Sequence, residues 1–250
     1  MATKMGAPKN VVGATFQPLY AQVKALLIRR IASGEWKPGM MIPNEFQLAS
    51  EFNVSQGTMR KALNALETSG LIVRHQGRGT YVAQHTRERS LFHFFRIVGL
   101  DDHRCEPWSR ALGQMTMRAS REVARHLSIE KGAPLHVISR IRTLDKIPAI
   151  LEKIFIPERM MPDLIVDIGS EMIDEMYVIY QERYNVSIAH ASERLAAVAA
   201  TAEDASHLDV AEKTPLLEIT RVARDLSDVP VELRISRCRT DSFRYMAELK

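Results

Sequence analysis

The sequence predicts an α+β protein in two parts: a helical unit closed by a β-hairpin, then a larger unit built on an antiparallel sheet. Three observations carry this. Over residues 17–70, apolar residues recur at helical spacing, with capping residues at the breaks. The turn His75-Gln76-Gly77-Arg78-Gly79 then joins two short β-prone runs. Finally, HLSIEKGAPLHVISRIR, starting at His126, is echoed 81 residues later by HLDVAEKTPLLEITRVA, starting at His207.

In the first part, Leu19, Val23, Leu26, Leu27 and Ile31 fall on one helical face. Pro18 suits the first turn of that helix and Gly34 its end. Asn44 followed by Gln47 has the spacing of a capping box and starts a second helix that runs to about Phe52. Ser55 caps a third helix, which ends near Gly70. Leu71–Arg74 and Thr80–Val82 are the two strands of the hairpin, whose glycines permit positive φ. These elements bound a domain over residues 15–83. Residues 84–95 (QHTRERSLFHFF) form a linker whose aromatic end, with Trp108, is expected to anchor on one domain.

Over residues 96–250, both repeat copies run helix end, loop, Pro-Leu and strand. Both then turn at a proline, in LDKIPAILEKIFIP and LSDVPVELRISRC. Such units close an antiparallel sheet. Between the copies lie a helix near 170–184 and a strand near 187–198.

The 250-residue chain is 46% apolar and 26% charged, as in a folded soluble protein, and has no apolar run of membrane-spanning length. The N-terminus lacks the long apolar core of a secretory signal, and the two cysteines have no metal-ligand spacing; a reduced, cytoplasmic chain is the expectation. The net charge of +4 is uneven: residues 1–110 hold 15 Lys/Arg against 8 Asp/Glu, and the remainder 19 against 22. The first part therefore suits a polyanion. No nucleophile–base pair, phosphate-binding glycine loop or His/Cys metal motif stands out, so no cofactor or metal and no catalytic residue is expected.

The third helix, which starts with Ser55, Gln56, Gly57, Thr58 and Arg60, offers the side chains that bond base edges in a major groove. Arg74, His75, Gln76 and Arg78 on the hairpin, with the backbone of Gly77 and Gly79, would reach the adjacent backbone or minor groove. The combination resembles the N-terminal winged helix–turn–helix of the GntR family of bacterial transcription regulators. It rests on PLYAQVKALLIRRIASGEWKPG, IPNEFQLASEFNVSQGTMRKALNALETSGLI and RHQGRGTYV. The resemblance implies DNA contacts at Thr58, Arg60, Gln76, Gly77 and Gly79. The family usually carries arginines where this chain has Phe46 and Gln56, which implies a different operator.

Arg140 and Arg142 are two residues apart, so they share one face of their strand, and Glu152 lies on the next strand. Such a set either binds an anionic or zwitterionic small molecule or forms an exposed ion-pair ladder. From about Phe95 to Leu249 the chain resembles the effector-binding UTRA domain of the HutC-like subfamily, whose fold is like chorismate lyase. The likeness rests on REVARHLSIEKGAPLHVISRIRTLDKIPAILEKIFIP, ERYNVSIAHASERLAAVAA, HLDVAEKTPLLEITRVARDLSDVPVEL and RTDSFRYMAEL. It implies effector contacts at Arg140, Arg142, Glu152, Tyr177 and Glu232. It also places Glu175 at the serine of a Ser-x-Tyr motif and Cys238 at a last-strand tyrosine, both of which disfavour a phosphorylated ligand. The implied function is a ligand-responsive repressor binding a palindromic duplex operator as a homodimer. The alternatives are an enzyme of chorismate-lyase-like fold and a ligand-independent DNA-binding dimer.

Overall fold

The computed structural model describes residues 17–85, 94–172 and 176–248. Its first unit is α1 (Leu19–Ala32), β1 (Met41–Ile42), α2 (Glu45–Glu51), α3 (Gln56–Thr68), β2 (Ile72–His75) and β3 (Gly79–Val82). The caps fall where the sequence puts them. Asn44 and Gln47 form a reciprocal capping box, and the Ser55 hydroxyl accepts from the Thr58 N–H. Val23, Leu27 and Ile31 of α1 are buried against Leu48, Met59, Ala62 and Leu66. The expected apolar face of α1 is narrower than its sequence suggests: Leu19 and Leu26 are 52% and 43% exposed. Strand β1 pairs with β3 and makes the hairpin a three-stranded sheet. Two residues are too few to show a strand period, so only the burial of Ile42 marks it.

The second unit holds β4 (Ile97–Gly99), β5 (Pro107–Arg118), α4 (Arg121–Leu127), β6 (Pro134–Leu144), β7 (Ile147–Pro157), β8 (Glu171–Met172), α5 (Met176–Tyr184), β9 (Ile188–Ala199), α6 (Ala202–Leu208), β10 (Pro215–Asp225), β11 (Pro230–Arg239) and β12 (Phe243–Tyr245). Seven strands form an antiparallel sheet in the order β8-β5-β6-β7-β11-β10-β9, and β4 pairs with β12. The order explains the repeat. The runs β5-α4-β6-β7 and β9-α6-β10-β11 are mirrored about the β7–β11 seam. Each short helix has a hydroxyl N-cap, Ser120 or Thr201, and each ends on a left-handed residue, Ser128 or Asp209. Of the expected helix near 170–184, Met176–Tyr184 is helical, while Glu171–Met172 pairs with β5 as a strand.

The sheet has two unlike faces. One buries Val137, Phe155, Val222 and Leu233 under α4, and Ile141, Leu151 and Leu216 beside Leu208 of α6. The other buries Ala111, Ile138, Ile154 and Ala223 under Met176, Tyr177 and Tyr180 of α5. Farther along that face, Ile150, Ile219 and Cys238 pack with Ile97 and Phe243 of the β4–β12 ribbon. Polar side chains fill the strip between these apolar patches.

Candidate functional site

Pairing registers bring the strip together. Arg140 on β6 faces Glu152 on β7, which faces Ser236 on β11; Arg221 on β10 faces Arg234 on β11. Paired residues share a face of the sheet. The Arg140 Nε donates to Glu152, and the Ser236 hydroxyl donates to the other Glu152 oxygen at 2.9 Å. Arg234 forms a two-bond fork with Glu232, at 2.9 and 2.8 Å, and lies 3.9 Å from Glu152. The Tyr180 hydroxyl donates to Glu232, and Tyr177 lies under the Arg234 guanidinium at 5.3 Å. Arg140 and Glu232 are fully buried; Arg142, Glu152, Arg234 and Tyr177 are nearly so.

Thus the predicted Arg140, Arg142, Glu152, Tyr177 and Glu232 converge, in a buried network rather than an exposed ladder. Glu175 lies outside the described residues. Burial by itself would raise the Glu152 carboxyl, but the guanidinium groups of Arg140, Arg234 and Arg142 outweigh it and hold that carboxyl well below the usual range. Burial and the nearby Glu232 carboxylate push the Tyr177 hydroxyl up to about 12.

The strip touches both ends of the segment that joins the two units. Arg142 stacks over Phe95 at 4.9 Å, and Arg221 donates to the Phe94 carbonyl. At the other end, the His85 N–H donates to Gln181 of α5 at 2.8 Å, and its ring contacts the Ile188 carbonyl at 3.0 Å. The same helix therefore carries Tyr177 and Tyr180 on the polar strip and Gln181 on His85. Trp108 sits on β5, paired in register with Thr143, and is 48% exposed.

On the first unit, Gln56 opens α3 on an exposed surface, and Thr58 is half-buried with its hydroxyl 2.9 Å from that of Ser55. Arg60 is exposed but paired with Glu45 of α2, at 2.8 Å. At the hairpin, Arg74 pairs with Glu67 at 3.1 Å, and Gln76, Gly77, Arg78 and Gly79 are all exposed. Gly77 has φ 71° and Gly79 φ 112°, values that disfavour a side chain. Phe46, at the start of α2 on the same side, is 66% exposed.

Residues 19–82 match the model of bacterial regulatory proteins of the gntR family, and residues 104–244 match that of the UTRA domain. The chain belongs to the GntR family and carries a UTRA domain. It is 30% identical over 220 residues to the HTH-type transcriptional regulator GmuR of Bacillus subtilis, covering 86% of this chain and 91% of that protein. It is 29% identical over 236 residues to the "Probable fructoselysine utilization operon transcriptional repressor" of Escherichia coli K12, covering 90% and 92%. A domain from Bordetella bronchiseptica described as the ligand-binding domain of a GntR-family regulator superposes with a TM-score of 0.59 at 27% identity, covering 63% of this chain and 98% of that one. PhnF of Mycobacterium smegmatis shares the fold, with a TM-score of 0.54 at 24% identity over 91% of this chain and 99% of that one. As a GntR–UTRA protein the chain is a ligand-responsive, DNA-binding transcription regulator and not an enzyme.

In this GntR–UTRA chain the sequence reading missed Arg221, Arg234, Tyr180 and Ser236. The repeat holds a signal for the first: Arg221 stands 81 residues after Arg140, the repeat offset. Arg234 is two residues from Glu232 on one strand and so shares its face. Tyr180 is three residues from Tyr177 on one helix face.

Proposed function

We propose that this regulator represses its genes from a palindromic duplex operator as a homodimer in the cytoplasm. A small, non-phosphorylated acid or zwitterion releases it. The observation that carries the effector reading is the polar strip of buried Arg140, Arg142 and Arg234 with partly buried Arg221, pressed against Phe94 and Phe95. Arg140 and Arg142 hold the acid group of the effector. Glu152 and Glu232 hold its ammonium or hydroxyl, with Tyr177 closing the site from α5. Two buried carboxylates on the strip would repel a phosphate, and Cys238 offers a buried thiol where a hydroxyl donor is common. Glu175, two residues before Tyr177 in the sequence, adds a third carboxylate to this reading.

On DNA, Gln56, Thr58 and Arg60 enter the major groove. Arg74, Gln76, Gly77, Arg78 and Gly79 hold the flanking backbone or minor groove. One helix and wing reads few base pairs, so a two-fold dimer on a palindrome supplies the remaining contacts, with the UTRA domain as the dimer interface. The domain bounds in this reading are 15–83 for DNA binding, 84–95 for the linker and 96–250 for effector binding and dimerisation. The name of the Escherichia coli relative supports repression. Binding of an acid at Arg142 alters its stack on Phe95, and movement of α5 alters Gln181 on His85. Either shifts the spacing of the two DNA-binding domains.

Fluorescence anisotropy on labelled DNA from upstream of its gene tests this reading, in salt steps and with a panel of carboxylates, amino acids and sugar phosphates. Salt-sensitive binding released by a carboxylate or zwitterion is the expected result. Release by sugar phosphates alone would overturn the effector class.

A further inference from the structure

At the end of the sheet away from α5, three unlike donors meet. Cys105, after the β4 loop, places its sulfur 3.5 Å from His103 Nε2 and 3.4 Å from Asp145 Oδ2, and those two atoms are 2.7 Å apart. Zinc takes sulfur at about 2.3 Å and nitrogen or oxygen at about 2.0 Å, which at a tetrahedral angle sets sulfur about 3.5 Å from either. Both sulfur distances are close to this value, and all three donors lie within 4.8 Å of one another. The 2.7 Å between nitrogen and oxygen is a hydrogen-bond distance that an ion would open to about 3.3 Å.

The surroundings fit a metal ligand set. The other ring nitrogen of His103 contacts the Asp101 carboxylate, the kind of outer partner that holds a metal-bound imidazole, so that an ion arriving at Nε2 replaces the proton shared there with Asp145. Gly99 makes room for this ring, because a Cβ there would overlap the imidazole. Asp145 is delivered by a two-residue hairpin turn in which both Asp145 and Lys146 have positive φ, 50° and 67°. Such a turn suits Asp at its first position but not Lys at its second, so Lys146 holds it against local preference. Cys105 is 7% exposed while His103 is half-exposed, so an ion can enter from solvent onto a sheltered sulfur.

We propose that His103, Cys105 and Asp145 bind one divalent transition-metal ion, zinc fitting best, with Asp101 as the residue that positions His103. Thiolate and imidazole select borderline metals over magnesium or calcium, and three protein ligands leave the fourth position to water or an exogenous group. On binding, the Cys105 thiol proton and any imidazolium proton pass to buffer. The ion ties the β4–β5 loop to the β6–β7 turn and stabilises the UTRA domain by mass action. The site is separate from the effector strip and does not depend on it.

The test is a Co²⁺ titration of the full, reduced, chelator-treated chain, read by thiolate-to-cobalt charge-transfer and visible d–d absorption. The expected result is saturation at one ion per chain, displacement by Zn²⁺ and a raised Tm with Zn²⁺. Cys105→Ser abolishes the charge-transfer band and Cys238→Ser leaves it. Asp101→Asn weakens binding about 10- to 100-fold. His103→Gln serves as the second ligand variant should Cys105→Ser not fold by circular dichroism, and it also removes saturable one-ion binding. Absence of a thiolate band in the parent chain, or a band that survives in a folded ligand variant, overturns the proposal. His103 would then be an imidazolium held between two carboxylates.

Discussion

The Arg142 guanidinium lies 4.9 Å over the ring of Phe95. A residue of the buried polar strip thus touches the end of the segment that leads back to the DNA-binding domain. A desolvated cation–π contact is worth about 0.5–2 kcal/mol. Phe95→Ala is expected to leave effector-free operator affinity within about 3-fold while cutting effector-driven release by about 2- to 30-fold, the same energy expressed as a ratio. Anisotropy on labelled operator, with and without effector, measures both.

Glu232 is fully buried and accepts a two-bond fork from Arg234 and a bond from Tyr180. Glu232→Gln keeps the volume but removes the charge that neutralises Arg234. Breaking one side of a buried pair costs about 3–5 kcal/mol. Tyr180→Phe loses one hydrogen bond and is expected to cost about 1–2 kcal/mol. Denaturant unfolding of the two variants should give this order, Glu232→Gln the larger.

Glu152 sets an acid limit on stability. Its folded pKa is depressed by the three arginines, so the folded state binds fewer protons there than the unfolded chain. Its contribution is fully present above the unfolded carboxyl value of about 4.3 and is lost as pH falls below it. Tm should therefore drop between about pH 5 and pH 3. Glu152→Gln, although less stable at neutral pH, should flatten that part of the curve.

The fold was largely legible because its signals are local. Asn44, Gln47 and Ser55 cap the helices, the glycines mark the wing, and the 81-residue offset exposes the duplicated half-sheet. Arg140 and Arg142 could be placed on one face from strand parity alone, with Glu152 on the next strand. Strand pairing across the β7–β11 seam, which adds Arg234 and Ser236, depends on contacts far apart in sequence and leaves no periodic trace. The exposure of Leu19 and Leu26 was hidden for a related reason: helical spacing gives a face, and only the packing partners give its width. Cys105 and Asp145, 40 residues apart, met through a hairpin turn that no short motif encodes.

Glu45 holds Arg60 in a surface ion pair at 2.8 Å, on the face proposed to meet DNA. Glu45→Gln frees the cation and removes a negative charge beside the phosphates. Non-specific duplex affinity should rise, and the slope of log K against log salt should steepen by about 1. Arg60→Ala should reverse that slope change and weaken the operator complex by about 1–3 kcal/mol where Arg60 reads a base. Salt-dependent anisotropy on operator and scrambled duplexes separates the two effects.

The most direct test of the central claim, that an acid on the buried arginines releases the operator, is effector-dependent anisotropy of the parent chain beside Arg142→Lys. Lysine keeps the charge but loses the planar fork and the stacked plate. The account predicts that a carboxylate or zwitterion releases the parent chain and that Arg142→Lys binds operator normally but needs at least about 10-fold more effector, one lost charged contact of about 1.4 kcal/mol. Equal release of both proteins by the same compound would contradict it, because the effector would then act without Arg142.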